Sequence, residues 1–322
     1  MSDCVTLTDL VANKGQVVGL DAHASLADGL STMRAHQVTA LCVFGKPGHW
    51  LGAGNSNICV ADKQLLGLVS ILDIILYLSR HIVNEADPDA LLKKTHISDV
   101  LGQNTESLTL WVAATSNLKL ALEPLSKGVH RVLVPIFPAG AEKAQHPTPS
   151  SYKLCTQSDI IAYFQPLLKT DPFQSLASQP ISKFASSGVV CALRSDPIMP
   201  TLSSLANSNL MAVPIVDRDG VLADTLSAND FRTLLEKTDH RSERVLKALV
   251  LGHVTIGEYL KEISSAKPRP LIGVVSGNTS FSEAVDRVCE HKIHRLWIVD
   301  SAGVPVGVLS LGDMIRTIRE ML

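Results

Sequence analysis

The sequence has 322 residues, of which 46% are hydrophobic and 19% are charged, and its formal net charge at pH 7 is −2. This length favours about two domains with buried cores, and the composition excludes a disordered chain. Because there is no basic excess, nucleic acid is not an expected partner. No apolar run is long enough to span a bilayer and no basic-then-apolar leader is present, so we expect neither membrane contact nor secretion.

The first predicted unit ends in an apolar strand that runs through Ser70 and Asp73 directly into a helix. The Gly-rich segment Gly45–Gln64 lies between its two predicted strands. This segment lacks the Gly-Lys-Ser/Thr sequence and the following helix of a phosphate-binding P-loop. We therefore interpret Gly45–Gln64 as a long structured hairpin loop.

The next two units repeat this plan. In the second unit Thr156 precedes Asp159 by the same three residues, and the insertion Pro138–Ser151 has the composition of a loop. In the third, Ser227 precedes Asp230. Here we expect Asp196 to cap a helix that has Pro197 at its first position.

The fourth unit is the clearest copy. Thr279 or Ser280 is expected to cap a helix, with Glu283 completing a capping box, and a strand at 294–300, a turn, a second strand and a helix from Ser310 follow. Its final aspartate, Asp313, lies 34 residues after Thr279, and Asp230 lies 34 residues after Asp196. This matched spacing predicts a duplicated unit of helix, strand, turn, strand and helix.

The sequence contains no recognisable catalytic set, so we do not expect an enzyme. His291 and His294 have no third ligand nearby, so we expect neither a metal site nor a resident cofactor. The six scattered cysteines indicate reduced, mostly buried thiols in a cytoplasmic or nuclear protein. Trp50, Trp111 and Trp297 are expected in the core or in interfaces rather than as stacking platforms.

The four-copy pattern, with HRLWIVD at 294–300 and GVLSLGDMI at 307–315, resembles CBS domains. With GHWLGAGNS at 48–56, KGVHRVLVP at 127–135 and YKLCTQSDII at 152–161, it is similar to the gamma regulatory subunits of AMP-activated and sucrose-nonfermenting-type kinases, in their plant gamma-like branch. The resemblance covers about residues 6–322. It implies an α+β fold of four CBS repeats, arranged as two tandem pairs (Bateman modules) in a compact disc. The predicted repeats are 3–82, 93–168, 178–240 and 250–322.

The resemblance also implies adenine-nucleotide clefts between paired repeats. Strands would form a slot for the base, the helix-start aspartate would bind the ribose, and a His-Arg pair from the partner repeat would bind phosphate. The implied ribose and helix-start residues are Asp73, Asp159, Asp230 and Asp313 with Ser70, Thr156, Ser227 and Ser310. By the same analogy, His130 and Arg131 serve the cleft of Asp73, and His294 and Arg295 serve the cleft of Asp230.

This sequence departs from the gamma pattern in its basic residues. Thr39 stands where the first repeat of the family has an arginine, Ser208-Asn209 replaces a His-Arg pair, and Gln157-Ser158 replaces basic residues at a helix start. This sequence therefore has fewer basic residues for binding phosphate than the gamma pattern has. We expect nucleotide to occupy the Asp230 cleft before the Asp313 cleft.

Two functions remain open from the sequence. The first is a non-catalytic regulatory subunit that senses AMP, ADP or ATP and assembles with kinase catalytic and scaffold subunits of the alpha and beta types. The second is a CBS scaffold that acts through protein contacts alone, because a single Ser/Thr-x-x-Asp is by itself a helix-capping device.

Overall fold

The fold is that of a computed structural model, which describes residues 5–46, 59–60, 63–81, 88–103, 111–112, 117–136, 152–208, 210–232, 254–264, 271 and 273–322. The strands are β1 Gly19–Asp21, β2 Ala40–Gly45, β3 Cys59–Val60, β4 Lys63–Ser70, β5 Trp111–Val112, β6 Arg131–Pro135, β7 Tyr152–Thr156, β8 Ser186–Ser187, β9 Ala192–Leu193, β10 Ala212–Val216, β11 Leu222–Ser227, β12 Val274–Ser276, β13 Arg295–Val299 and β14 Pro305–Ser310.

The α-helices are α1 Leu7–Leu10, α2 Leu26–His36, α3 Ile71–His81, α4 Pro88–Lys94, α5 Leu118–Ser126, α6 Gln157–Leu167, α7 Gln174–Ala177, α8 Ile198–Asn207, α9 Ile256–Ile263, α10 Phe281–His291 and α11 Leu311–Glu320. Shorter 3-10 helices cover Ile97–Val100, Ile181–Lys183 and Ala228–Arg232.

Each repeat builds its own small sheet around an antiparallel strand pair. The strand orders are β1-β2-β4-β3, β5-β6-β7, β9-β10-β11 and β12-β13-β14-β8. In every sheet the short first strand runs parallel to its neighbour, so a helix crosses over between them. The α+β class is confirmed, and the order of helix, strand, strand and helix recurs as the sequence predicted.

The strand pairs share one register where they meet the following helix. The first residue of one strand lies opposite the hydroxyl residue that ends the other, and the four pairs are Ala40 with Ser70, Arg131 with Thr156, Ala212 with Ser227 and Arg295 with Ser310. In each case the hydroxyl donates to the carboxylate three residues later, at 2.5–3.0 Å. The repeated Ser/Thr-x-x-Asp therefore stops a strand and starts a helix.

Three local expectations need correction. Asp196 does not cap α8: Pro197 is the capping residue, and the Asp196 carboxylate instead accepts the Leu193 N–H at 2.8 Å. Ser280 caps α10, but the Glu283 carboxylate turns to Arg287 at 3.4 Å, so the capping box is incomplete. After Ser227, the described residues form the 3-10 helix Ala228–Arg232 where an α-helix was expected.

The two largest hydrophobic cores each combine one repeat from either half of the chain. The first core joins repeats one and three, with α3 packed against α8 and the 3-10 helix Ala228–Arg232. The second joins repeats two and four, with α6 against α10 and α11. The helical faces therefore hold the two predicted modules together.

The sheets face each other within each predicted module. Cys42, Phe44 and Leu65 of repeat one pack with Leu133 and Tyr152 of repeat two. The matching cluster of repeats three and four contains Trp297, which is 4% exposed and donates its indole N–H to Thr225 Oγ1 at 2.9 Å. Trp297 is thus an interface residue, as expected.

The short segment at the start of each predicted repeat contacts a different repeat. Isolated β-bridges join Thr6 to Asn117, Ser25 to His96, Pro180 to Ser280 and Pro197 to Thr255. For example, Leu7 lies at the start of the predicted repeat one but is fully buried in the core of repeats two and four. The exact repeat boundaries stay a prediction.

Several remaining expectations fall partly or wholly outside the described residues. Within Gly45–Gln64, β3 pairs with the start of β4, which forms one end of a hairpin. Trp50 and the insertion Pro138–Ser151 lie outside the described residues, and only the backbone of Trp111 is described. Cys42 and Cys155 are buried, and burial raises the pKa of each thiol to about 12. In the described part of the chain, no helix combines the length and apolar character needed to cross a membrane.

Candidate functional site

The four strand-to-helix junctions meet at a cavity of about 400 Å³. Each repeat contributes to its wall. Repeats one and three supply Thr39, Ser70, Ile71, Leu72, Leu210, Met211, Ser227 and Ala228. Repeats two and four supply Ser126, Gly128, His130, Arg131, Thr156, Gln157, Ser158, His294, Arg295, Ser310, Leu311, Gly312 and Asp313.

An equivalent backbone hydrogen bond occurs at each of the four junctions. The residue before each strand pair accepts, through its carbonyl, the N–H of the first residue of the following helix. The pairs are Thr39 with Ile71 at 2.9 Å, His130 with Gln157 at 3.2 Å, Met211 with Ala228 at 3.0 Å and His294 with Leu311 at 3.1 Å. Thr39, His130, Met211 and His294 therefore occupy equivalent positions on the cavity wall.

At three of the four junctions, a residue in the left-handed conformation lies just before the residue on the cavity wall. The residue two places before Thr39, His130 and His294 has a positive φ: 54° at Gln37, 94° at Gly128 and 52° at Lys292. Gly128 has no Cβ, so it adopts this conformation without the steric cost that a side chain adds. The turn lets a helix end and a strand start within a few residues.

Both predicted basic pairs line the cavity. Arg295 is partly buried, and burial lowers the pKa of its guanidinium to about 10, an effect that the Asp230 carboxylate of repeat three opposes. Arg131 lies near repeat one in the same manner. Its positive charge lowers the pKa of the Cys42 thiol, although burial raises that pKa by more. Each arginine therefore lies close to the repeat with which the family resemblance paired it, and Arg295 stays charged at neutral pH.

The helix-start hydroxyls also line the cavity, but most of the aspartates do not. Ser70, Thr156, Ser227 and Ser310 are all on the wall. Asp313 is the one residue of the aspartate set that joins them. Asp73 has no exposed surface, whereas Asp230 at 9% is about as exposed as Asp313 at 8% and still does not line the cavity.

Asp159 and Asp313 each form an ion pair with a basic side chain. Lys14 Nζ lies 2.6 Å from Asp159 Oδ2, and Arg316 Nη2 lies 2.6 Å from Asp313 Oδ1. Arg316 follows Asp313 by three residues on one helix, a spacing from which the pair could have been predicted. Lys14 is 145 residues away from Asp159, and nothing in the sequence signals that contact.

The arrangement suits an anion. Two guanidinium groups and four helix or 3-10 starts surround the cavity, and both kinds of group favour phosphate oxygens. In the described residues, no three His, Cys, Asp or Glu side chains are grouped so as to hold a metal ion. The guanidinium groups and helix starts therefore support binding of a phosphate-bearing molecule.

Comparison with known proteins agrees with this geometry. The family model of the CBS domain matches residues 260–320. The chain is 28% identical to the SNF1-related protein kinase regulatory subunit gamma-like PV42a of Arabidopsis thaliana over 99% of this chain and 96% of that protein. It is 29% identical to PV42b of the same plant over 98% and 94%. The predicted resemblance to gamma-like subunits is confirmed.

A solved structure extends the comparison to the fold. Protein MJ1225 from Methanocaldococcus jannaschii, proposed as an archaeal homologue of the gamma subunit of AMP-activated kinase, superposes with a TM-score of 0.68. The match covers 98% of this chain and all of that chain at 15% sequence identity. At this identity the likeness concerns the fold alone, and it is consistent with two tandem pairs of CBS repeats.

Proposed function

We propose that the chain is a non-catalytic regulatory subunit of the gamma type, which binds an adenine nucleotide with its phosphate in the central cavity. The observation that carries this proposal is the convergence of His130-Arg131 and His294-Arg295 on one cavity wall. Arg131 and Arg295 are the donors best suited to phosphate, because the guanidinium fork matches two phosphate oxygens at once. Ser70 and its equivalents lie on the wall beside them, and each hydroxyl donates its proton to the aspartate three residues later.

Kinase assembly is the second part of the proposal. The relatives that match nearly the whole chain are named as regulatory subunits of SNF1-related kinases. We therefore propose kinase catalytic and scaffold subunits, of the alpha and beta types, as partners. The cavity would then report nucleotide level to the bound kinase.

A scaffold that acts without nucleotide is the competing function. The aspartates favour it, because Asp73 is fully buried while Lys14 and Arg316 already bind Asp159 and Asp313. The ribose contacts implied by the family are therefore reduced in this chain. The basic pairs favour nucleotide binding over this alternative.

Calorimetric titration with AMP, ADP and ATP tests nucleotide binding. We expect binding that weakens about ten- to hundredfold in Arg131→Gln and in Arg295→Gln, since each loses a charge-assisted hydrogen bond. Arg80→Gln is the control, because Arg80 binds Gln103 at 2.7 Å on the surface outside the cavity. Absence of binding at millimolar nucleotide, together with co-purification with kinase subunits, favours the scaffold.

A further inference from the structure

The N-terminal segment of residues 12–17, here called the strap, lies along the edge strand of repeat two. Lys153 Nζ of β7 donates to the Ala12 carbonyl at 2.6 Å, and the Val17 N–H donates to the Tyr152 carbonyl at 3.1 Å. Val17 also packs against the apolar cluster between the sheets of repeats one and two. The strap is therefore held at both of its ends.

Lys14 lies between these two attachment points and contacts Asp159. Its Nζ lies 2.6 Å from Asp159 Oδ2, the same oxygen that accepts the Thr156 N–H and hydroxyl at 2.7 Å each. Both charges act on the Cys155 thiol, whose pKa is raised by burial and by Asp159 and is lowered by Lys14. The ammonium thus occupies the helix-start carboxylate of repeat two.

Asp159 is the most accessible carboxylate of the four-copy motif. Its side chain is 24% exposed, compared with 10% for Asp313, and Asp73 and Asp230 are buried. Asp159 is not among the described residues that line the central cavity. This accessible carboxylate therefore lies apart from that cavity, where Lys14 contacts it.

Repeat four shows that the backbone alone does not create this contact. The segment before repeat three lies along repeat four in a similar way, since β8 pairs with β14. The lysine of that segment, Lys183, lies 3.4 Å from Gln179 Oε1. Asp313, the motif aspartate of repeat four, is instead bound by Arg316 of its own helix. The contact at repeat two therefore depends on the side chain at position 14.

We propose that Lys14 restricts which junctions accept a nucleoside, by holding the Asp159 carboxylate so that no ribose hydroxyl binds there. This inference rests on the proposed nucleotide binding and adds a residue that limits it. A ribose hydroxyl is neutral, so its entry would separate the ammonium from the carboxylate and leave two partly buried charges unpaired. The contacts on either side of Lys14 oppose that separation, because they hold the strap in place.

Calorimetric titration of the full chain with AMP, up to millimolar concentration, tests this role. Lys14→Met keeps a long apolar side chain and removes the charge, and we expect this variant to bind one more AMP per chain than the unmodified protein. The double variant Lys14→Met/Asp159→Asn should lose the additional site, because it lacks the charged acceptor. An unchanged number of AMP molecules in Lys14→Met would overturn the inference, and so would an additional site that persists in the double variant.

Lys183→Met is the matched control for this titration. It removes a lysine from the segment along repeat four, where the ammonium contacts Gln179 instead of a motif aspartate. We expect Lys183→Met to bind as many AMP molecules as the unmodified protein. An additional site in this control as well would overturn the inference, because the gain would then not depend on Asp159.

Hydrogen exchange on the unmodified protein gives a second measurement, which does not depend on the folding of a variant. With saturating AMP, the strap should exchange within about twofold of its rate without AMP, because nucleotide does not displace Lys14. Residues 128–131, which include cavity-wall residues, should exchange more slowly. A strap that exchanges about tenfold faster with AMP would overturn the inference, since nucleotide would then compete with Lys14.

The outcomes separate this inference from the function on which it rests. If AMP binds the unmodified protein and Lys14→Met in the same number, the inference fails and the proposed nucleotide binding stands. If AMP binds neither protein, both fail. An additional site in Lys14→Met that the double variant loses supports both.

Discussion

At the residue scale, one short motif occupies four different environments. Asp73 is fully buried, Asp230 is nearly so, Asp159 is bound by Lys14 and Asp313 is bound by Arg316. Each carboxylate nevertheless accepts the hydroxyl and the N–H of the residue three places before it. The first role of the motif is therefore to begin a helix, and ligand contact depends on what surrounds it.

Asp73→Ala tests this structural role. We expect the free energy of unfolding to fall by about 1–3 kcal/mol without any nucleotide, because the Ser70 N–H and hydroxyl lose a buried acceptor. Urea unfolding measures the loss. Asp28→Ala is the matched control, since Asp28 accepts the same two groups from Ser25 on an exposed helix and should cost less. An equal or larger loss at Asp28 would contradict the assigned role of Asp73.

At the element scale, segments are exchanged between repeats. The helix α1 lies at the start of the predicted repeat one but packs on α6 of repeat two. Lys153 Nζ binds the Ala12 carbonyl at 2.6 Å, and the Val17 N–H binds the Tyr152 carbonyl at 3.1 Å. Together with the Lys14 ion pair, these contacts hold residues 12–17 along the edge of repeat two.

Leu7→Ala tests whether α1 is part of the second core. The side chain is fully buried, so we expect a loss of about 2–5 kcal/mol in the free energy of unfolding from lost burial and the cavity left behind. Hydrogen exchange should rise in α6 and α11 before it rises in α3. Leu120→Ala is the control, since Leu120 is 62% exposed and its removal should change stability by less than about 0.5 kcal/mol. Faster exchange confined to α3 would contradict the assignment.

At the scale of the whole molecule, the two predicted modules depend on each other. Each large core takes half of its side chains from either module, so a module alone exposes the apolar faces of α3 and α6 or of α8 and α11. Contiguous apolar surface of that kind drives association in water. The cavity requires the same assembly, because all four repeats form its wall.

Separate expression of residues 1–169 and 170–322 tests this dependence. We expect each half to self-associate or aggregate when expressed alone, and the two to form a 1:1 complex when expressed together. Size-exclusion chromatography with light scattering distinguishes these states. Two well-folded monomers with no affinity for each other would show that the shared cores contribute little to stability.

The sequence by itself determined the features that depend on neighbouring residues. The strand-to-helix junctions at Ser70, Thr156, Ser227 and Ser310 were predicted because a capping hydrogen bond spans only three residues. The expectation for Asp196 was wrong by one position, since the turn before a helix offers its carboxylate a second N–H at Leu193. Local sequence signals therefore predict which helices and strands form more reliably than they predict the residues at which these elements begin and end.

The tertiary structure alone decided which residues meet. Lys14 reaches Asp159 across 145 residues, and the four junctions line one cavity, because packing of the two shared cores sets those distances. The members of the motif also differ in their relation to that cavity, since Asp313 lines it while the fully buried Asp73 does not. The sequence pattern at the two aspartates is the same. Their surroundings differ partly through the local i,i+3 ion pair of Asp313 with Arg316 and otherwise through long-range packing, which no local pattern encodes.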